Sequence, residues 1–510
     1  MFQDMESFIK RHKKAVILNF ITVCICYVHM AFSQNIGIDT EIMIMGGSSM
    51  LKSWYNLGRQ GLVLSKILLN LTQYNPYFSG VLFLIGFGLL GILTAFLCWV
   101  ASGKSDNYFY GLFMILFSTC PIWMMQFYFA LQRAEVIFGL LCAVISVFSL
   151  CQIIFYRQRK IYWILAYVIL GIWSFCSYQS CIVFYITLCM MFFLMDFVNT
   201  YKDRQWKEYA KTIIQLISGF VVIFLINQVV TQVFFWQGDY LDGQIGWGNR
   251  PVTEIFLVIA KMAGKSFICY GAEYSSAYPL AVLCIFIVFV RFCRKQEIKR
   301  AIKFIFFFAL AGLMASPFLL TIYMGNTPVP RSQFVLQLVG AFGCMFTCGI
   351  WKIEENPKCQ WMPKGVSAVS CVIIWLSLSA ILRLQYTDDV RFQEDVRMAY
   401  EVAEEIQHTE GANGLPVIFV GGKMSHLNDS ARETDMYGYS TWGWDYSPQT
   451  PVNVTARVIW FMQALGLDIE AALDYGEQAI KAAKDMECYP KSGYISVQEG
   501  FVAVKLSEVD

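Results

Sequence analysis

Lys10-Arg11-His12-Lys13-Lys14 is followed by an apolar run from Ala15 to Phe32 and, a few residues later, by Ile38-Asp39-Thr40-Glu41. The apolar run approaches the ~20 residues a spanning helix needs. A secretory signal peptide has a shorter apolar core and a small-residue cleavage site. The stretch therefore reads as a retained first transmembrane helix, its basic flank in the cytoplasm. The two carboxylates then fall at the far mouth of that helix, in an otherwise uncharged segment.

Outward from this helix, apolar runs recur at roughly 78–101, 108–125, 134–155, 161–177, 180–197, 212–236, 272–291, 304–323, 333–350 and 365–383, about eleven spans with the first at 15–33. The expected fold class is an α-helical polytopic membrane protein. Basic loops lie at Lys10 to Lys14, Arg157 to Lys160, Lys202 to Lys211, Arg291 to Lys303 and Lys352 to Lys364, all on one side if the spans are right. That side is cytoplasmic by the positive-inside rule. An odd number of spans then puts the N-terminus inside and the C-terminal region outside the cytoplasm of a multi-pass cell-membrane protein.

Composition agrees. The 510 residues are 57% hydrophobic and only 15% charged, where a soluble chain carries about 25%. Mean hydropathy is +0.51. A net charge of +2, with no long basic tract, gives no reason to expect nucleic acid. Most of the 17 cysteines, Cys24, Cys98, Cys181 and Cys344 among them, lie in apolar runs, where a thiol behaves as a small hydrophobe. The four histidines are scattered and no CxxC pair has zinc spacing.

Two outer segments are long. Glu41 to Pro76 carries Leu51, Trp54, Tyr55 and Leu62 at helical spacing and reads as an amphipathic helix on the membrane surface. Gln237 to Ala277 opens with the glycine-rich Gly243 to Pro251 and continues as another amphipathic stretch. After Leu384 the composition changes. Asp388 to His408, Val452 to Leu465 and Ile469 to Met486 read as helices, Pro416 to Val420 as a buried strand, and Tyr494 to Lys505 as a hairpin turning at Gly500. The expected division is a transmembrane domain at 1–384 and a small extracytoplasmic α/β domain at 385–510.

A carboxylate held against apolar surface has a raised pKa and can accept a proton from a hydroxyl. Asp39 and Glu41 fit that role, with a solvated loop as the plainer reading. Their spacing would also suit a divalent cation, though weakly. Arg133 and Glu135 are the only charges between Tyr108 and Tyr156. They read either as an ion pair that fixes packing or as a phosphate site in which Glu135 orients Arg133. Two apart on one helix, they do not face each other. Arg59, Arg133, Arg250 and Arg331 all map to the outer side, where bidentate phosphate recognition is a candidate role. Trp123, Tyr128, Trp173, Tyr178, Trp236 and Trp247 fall near outer ends, as an interfacial belt or as sugar-stacking rings. Gln179, in the polar turn Ser177-Tyr178-Gln179-Ser180, is placed to hydrogen-bond a sugar.

This layout resembles the GT-C class of polyprenyl-phosphate-dependent glycosyltransferases, and within it the Gtr-type bacterial glucosyltransferase family, whose relatives add glucosyl branches to O-antigen. The resemblance rests on Ile38-Asp39-Thr40-Glu41, Trp54-Tyr55-Asn56-Leu57-Gly58-Arg59, Gln132-Arg133-Ala134-Glu135, the Ser177 to Ser180 turn, Asp395 to Glu405 and the closing Tyr489-Pro490 to Leu506 segment. It implies a polyprenyl-phosphate-linked hexose as donor, membrane lipid around the carrier tail, and an extracytoplasmic cell-surface glycan as acceptor. It also implies an acidic base in the first outer loop. Where that class has a doubled acidic motif, this chain has Asp-Thr-Glu, so the choice between Asp39 and Glu41 stays open. The implied sites are Asp39 and Glu41 for catalysis, Arg133, Arg331, Arg59 and Arg250 for the donor phosphate, and Glu135, Gln179, Tyr178 and Trp247 for sugar or acceptor. A lipid-linked sugar transporter or flippase, and a polysaccharide polymerase or ligase, are the alternatives.

Overall fold

The computed structural model describes residues 2–234, 242–353 and 361–509. Trp236 and the charged loop ahead of Gln360 lie outside the described residues. Two compact units emerge. The larger comprises Met1–Phe32, Leu51–Phe127 and Gln132–Ile381, the smaller Ser33–Met50, Tyr128–Leu131 and Leu382–Asp510.

The larger unit is a helical assembly. Among the described residues nine helices are long and apolar enough to cross a membrane: Lys13–Phe32, Pro76–Ala101, Arg133–Ile154, Ser180–Thr200, Trp206–Val233, Ala277–Arg294, Arg300–Met324, Val335–Ile353 and Trp361–His408. Two expected spans take other forms. Residues 161–177 give the 15-residue helix Ile161–Phe175. Residues 108–125 give Tyr110–Ser118 and Pro121–Phe127, bent by 53°. Pro121 has no N–H to continue the first helix, so carbonyls at its end lose their partners. Side chains replace them: the Gln337 amide donates to Leu116 O, the Trp123 indole to Phe117 O and the Tyr27 hydroxyl to Ser118 O. Such substitution is what irregular backbone requires where water is absent.

The segment expected as one surface helix is three short ones, Thr40–Gly46, Ser48–Asn56 and Gln60–Leu68. Gly47 (φ 36°) and Gly58 (φ 69°) interrupt them in left-handed backbone. Trp54, Leu62 and Lys66 are buried. The composition break near Leu384 falls within one continuous helix, Trp361–His408, close to where the two units divide between Ile381 and Leu382. No Gly or Pro lies between Val366 and His408 to stop it.

In the smaller unit a three-stranded sheet has the order β1-β3-β2, with β1 Val417–Val420, β2 Ile495–Gln498 and β3 Phe501–Lys505. β1 runs parallel to β3 with Val417 opposite Val502, and β2 pairs antiparallel with β3 in the expected hairpin. Alternation sorts the strand residues between two cores. Val417, Phe419, Val502 and Val504 pack with Val402, Val458 and Phe461. Ile418, Val420, Phe501 and Ala503 pack with Ala479 and Ala483. The helix expected over 469–486 is confined to Gly476–Ala483. Its first residues are instead drawn along β1, where Val417 N donates to Glu470 O and Ala472 N to Val417 O.

Candidate active site

Asp39 stands just before the helix Thr40–Gly46, with φ 67° and ψ −8°. An aspartate tolerates this left-handed conformation better than most residues, yet it stores about 1–3 kcal/mol of strain. Its carboxylate makes no capping bond to the helix it precedes. It turns instead to Arg457, the one charged residue of the helix Val454–Ala464.

Arg457 gathers three carboxylates inside the smaller unit. Its Nε donates to Asp445 Oδ2 at 2.6 Å, and its Nη1 and Nη2 donate to Asp39 Oδ1 at 3.3 and 3.2 Å. Nη1 also meets Glu41 Oε1. The three acids differ in exposure. Glu41 is sealed at 1%, whereas the side chains of Asp39 and Asp445 are 39% and 37% exposed. Burial pushes the Glu41 carboxyl up to about 7, against the pull of Arg457, with the Asp39 charge adding to the rise. The Arg457 guanidinium loses some stability to burial but is held above its ordinary value by Glu41, Asp445 and Asp39. Both bonds to Asp39 fall on Oδ1, and among the described residues Oδ2 accepts none. One oxygen is thus anchored and the other is available to take a proton.

The same unit holds the acid-bearing loops in place from one buried stretch of helix. Arg391, fully buried, donates to Ile36 O (3.0 Å), Asp388 (2.6 Å), Asp395 (3.3 Å) and the Tyr128 hydroxyl (3.4 Å). Asn35 Nδ2 bonds both Asp388 and Asp389. Gly37 lies against the Tyr128 ring, 2.7 Å from where a Cβ would sit. Asp395 in turn accepts from Ser440 Oγ and Thr441 N, on the loop that leads to Asp445. Residues 388–395 therefore brace both the Asp39 loop and the Asp445 loop. Among the described residues no group of three His, Cys, Asp or Glu side chains is arranged to hold a metal. These three acids converge on a guanidinium.

The remaining residues singled out from sequence lie in the larger unit. Arg133 Nη1 donates to Met30 O, and Nη2 to Ala31 O and Pro76 O, at 2.8–3.0 Å. Met30 and Ala31 are in the last turn of Lys13–Phe32, where carbonyls lack helical partners. Glu135 pairs with a lysine. It accepts from Lys66 Nζ at 2.5 Å, with both groups sealed at 1–3% exposure, and the Lys66 ammonium lies 4.8 Å from the Trp54 ring centroid. Arg59 lies over the Tyr178 ring at 5.0 Å, and Gln179 Nε2 donates to Leu57 O. Those three residues are brought together, as are Trp247 and Arg250 beside the 322–326 turn. Trp247 Nε1 donates to Ile322 O and Arg250 Nη1 to Asn326 Oδ1. Arg331 stands in the short turn Pro330–Ser332. Trp123 is buried at the helix bend, and Trp173 donates to Ser65 Oγ.

Sequence reading missed Arg457, Asp445 and Arg391. A lone cation inside Val454-Thr455-Ala456-Arg457-Val458-Ile459-Trp460-Phe461 was the available signal for Arg457, because a buried arginine needs an acid. No curated protein and no solved structure is significantly similar to this chain. The model of the glucosyl transferase GtrII family matches residues 28–348, more than half of the chain and including Asp39, Glu41, Arg133 and Glu135. With its long apolar helices, the protein is a membrane protein that belongs to the GtrII glucosyl transferase family.

Proposed function

We propose that this protein is an integral membrane hexosyltransferase that moves a hexose, glucose by its family, from a polyprenyl-phosphate carrier to an extracytoplasmic glycan. The carrying observation is the cluster of Asp39, Glu41 and Asp445 on Arg457. Asp39 Oδ2 takes the proton of the acceptor hydroxyl. The hydroxyl oxygen attacks the anomeric carbon from the face opposite the phosphate, and the bond from that carbon to the phosphate oxygen breaks with its electron pair leaving on the lipid phosphate. The sugar inverts. Arg457 fixes the direction of Asp39, and Glu41 tunes the charge on the pair.

Arg59, Arg250 and Arg331 are assigned to the leaving phosphate, and Tyr178, Gln179 and Trp247 to sugar contacts. Arg133 and Glu135 are given structural roles, because protein groups already enclose both. The positive-inside pattern supports a cytoplasmic N-terminus and an extracytoplasmic α/β domain at 385–510, with a GT-C-like transmembrane domain at 1–384.

The test uses purified full-length protein, radiolabelled polyprenyl-phosphate-glucose and acceptor polysaccharide, with free lipid phosphate as the readout. Loss of a positioned general base costs roughly a hundred-fold or more in rate, so Asp39→Asn should lose at least that much while remaining folded. Near-normal release by that variant removes Asp39 from the mechanism. Donor binding without release on any acceptor moves the assignment to a carrier for lipid-linked sugars. An EDTA arm reads metal dependence directly.

A further inference from the structure

The loop that delivers Asp445 reads Tyr437-Gly438-Tyr439-Ser440-Thr441-Trp442-Gly443-Trp444-Asp445-Tyr446. Its aromatic residues have two fates. Tyr437 and Trp442 are core, at 1% and 0% exposure, with Trp442 edge-on to Phe419 at 5.4 Å. Tyr439, Trp444 and Tyr446 are half-buried. Tyr439 and Trp444 meet edge to face, 5.7 Å between centroids and 88° between planes. Among the described residues, the Trp444 indole N–H and the Tyr439 and Tyr446 hydroxyls enter no hydrogen bond.

The backbone of the loop is tied down on both sides of Trp442. Asp395 holds Ser440 and Thr441, and Lys423 N donates to Trp442 O at 3.0 Å. A Cβ on Gly443 would stand 2.8 Å from Met424 Sδ, and one on Gly422 2.6 Å from the Tyr446 Cβ. Little ordering entropy is left for a ligand to supply. Trp444 and Tyr446 also flank Asp445, whose carboxylate shares the Arg457 guanidinium with Asp39.

We infer that Tyr439, Trp444 and Tyr446 form a subsite for one pyranose ring of the acceptor glycan, next to the base. This rests on the proposed transferase reading and adds the acceptor-binding residues to it. A pyranose offers a face of C–H bonds to an aromatic ring and a rim of hydroxyls to N–H and O–H groups. A hydrocarbon tail would use the ring faces and make no use of the polar tips. A phosphate would meet three carboxylates balanced by one guanidinium, which disfavours an anion. A neutral sugar suits both the rings and the charge. The loop lies beyond residue 348, outside the family match.

Saturation-transfer NMR on the full-length protein in lauryldimethylamine oxide, a detergent without a sugar headgroup, tests this. The probes are the methyl α-glycosides of glucose, galactose, mannose and rhamnose. At least one should receive saturation at its ring C–H protons. Trp444→Ala should weaken its Kd about tenfold, the scale of one lost aromatic contact. Trp444→Phe, which keeps a ring, should keep most of the signal. No saturation of any probe, or equal saturation in wild type and Trp444→Ala, overturns the subsite. If Trp444 proves indifferent while Asp39→Asn abolishes transfer, the transferase reading stands and the subsite fails. If the sugar signal depends on Trp444 while Asp39→Asn still transfers, the subsite stands and the base assignment fails.

Discussion

Asp39-Thr40-Glu41 and Arg133-Ala134-Glu135 have the same spacing and opposite outcomes. In the first, both side chains meet one partner, Arg457. In the second, they part: Arg133 goes to the carbonyls of Met30, Ala31 and Pro76, and Glu135 to Lys66. Both Arg133 and Glu135 belong to the helix Arg133–Ile154, where positions two apart point roughly 200° from each other. Asp39 lies outside its helix in left-handed backbone, which frees its side chain from that rule. Spacing alone does not decide whether two charges form a site. The conformation of the first residue does.

Removing the shared cation should break the convergent segment most. Arg457→Met leaves Glu41 buried without its counter-charge and Asp39 without its anchor. Loss of one partner from a buried pair costs about 3–5 kcal/mol, so denaturant unfolding should show a large fall and lipid-phosphate release should disappear. A stable Arg457→Met protein that still transfers would show that the convergence is incidental.

The divergent segment should fail differently. Lys66→Met alone strands Glu135 and should destabilise by a similar ~3–5 kcal/mol. Lys66→Met with Glu135→Leu removes both charges and should recover most of that loss, since well-packed apolar replacements of buried pairs are often neutral or better. Transfer should survive in the double variant. If stability returns but transfer does not, Glu135 contacts a ligand after all, and the two segments are more alike than their geometry says.

Titration offers a third comparison. The Glu41 carboxyl is pushed up to about 7 by burial, from an ordinary carboxylate value when unfolded. Between roughly pH 4.5 and 7 the folded chain therefore holds a proton that the unfolded chain has released. Stability from this group falls as pH rises through that window and levels above it. Thermal unfolding at pH 5 and pH 8 should show the slope in wild type and a flatter one in Glu41→Gln. An unchanged slope in that variant would mean that other groups set the dependence.

The helices were mostly legible because apolar length is a one-dimensional property. All eleven expected spans coincide with helices, though 108–125 is bent at Pro121 and 161–177 is short. The hairpin at 494–505 was legible from alternation. Residues 469–475 were not, because a helical period in sequence gave way to backbone bonds with β1, about fifty residues upstream. Asp39 and Glu41 stood out as lone charges after an apolar run. Arg457 lies more than four hundred positions from them, and no local pattern reports a contact across that separation.

The smallest expected effect isolates the backbone itself. Asp39→Ala and Asp39→Gly both delete the carboxylate and its bonds to Arg457, so both should lose transfer alike. They differ only in how they bear φ 67°. Glycine adopts that conformation freely and alanine does not. Asp39→Gly should therefore unfold at higher denaturant than Asp39→Ala, by about 1 kcal/mol. That margin would be the strain the native chain tolerates in order to turn an acid out of its helix and onto Arg457. Equal stability of the two variants would mean that the loop relaxes once the carboxylate is gone, and that Arg457, rather than the clamp at Ile36 and Gly37, imposes the left-handed turn.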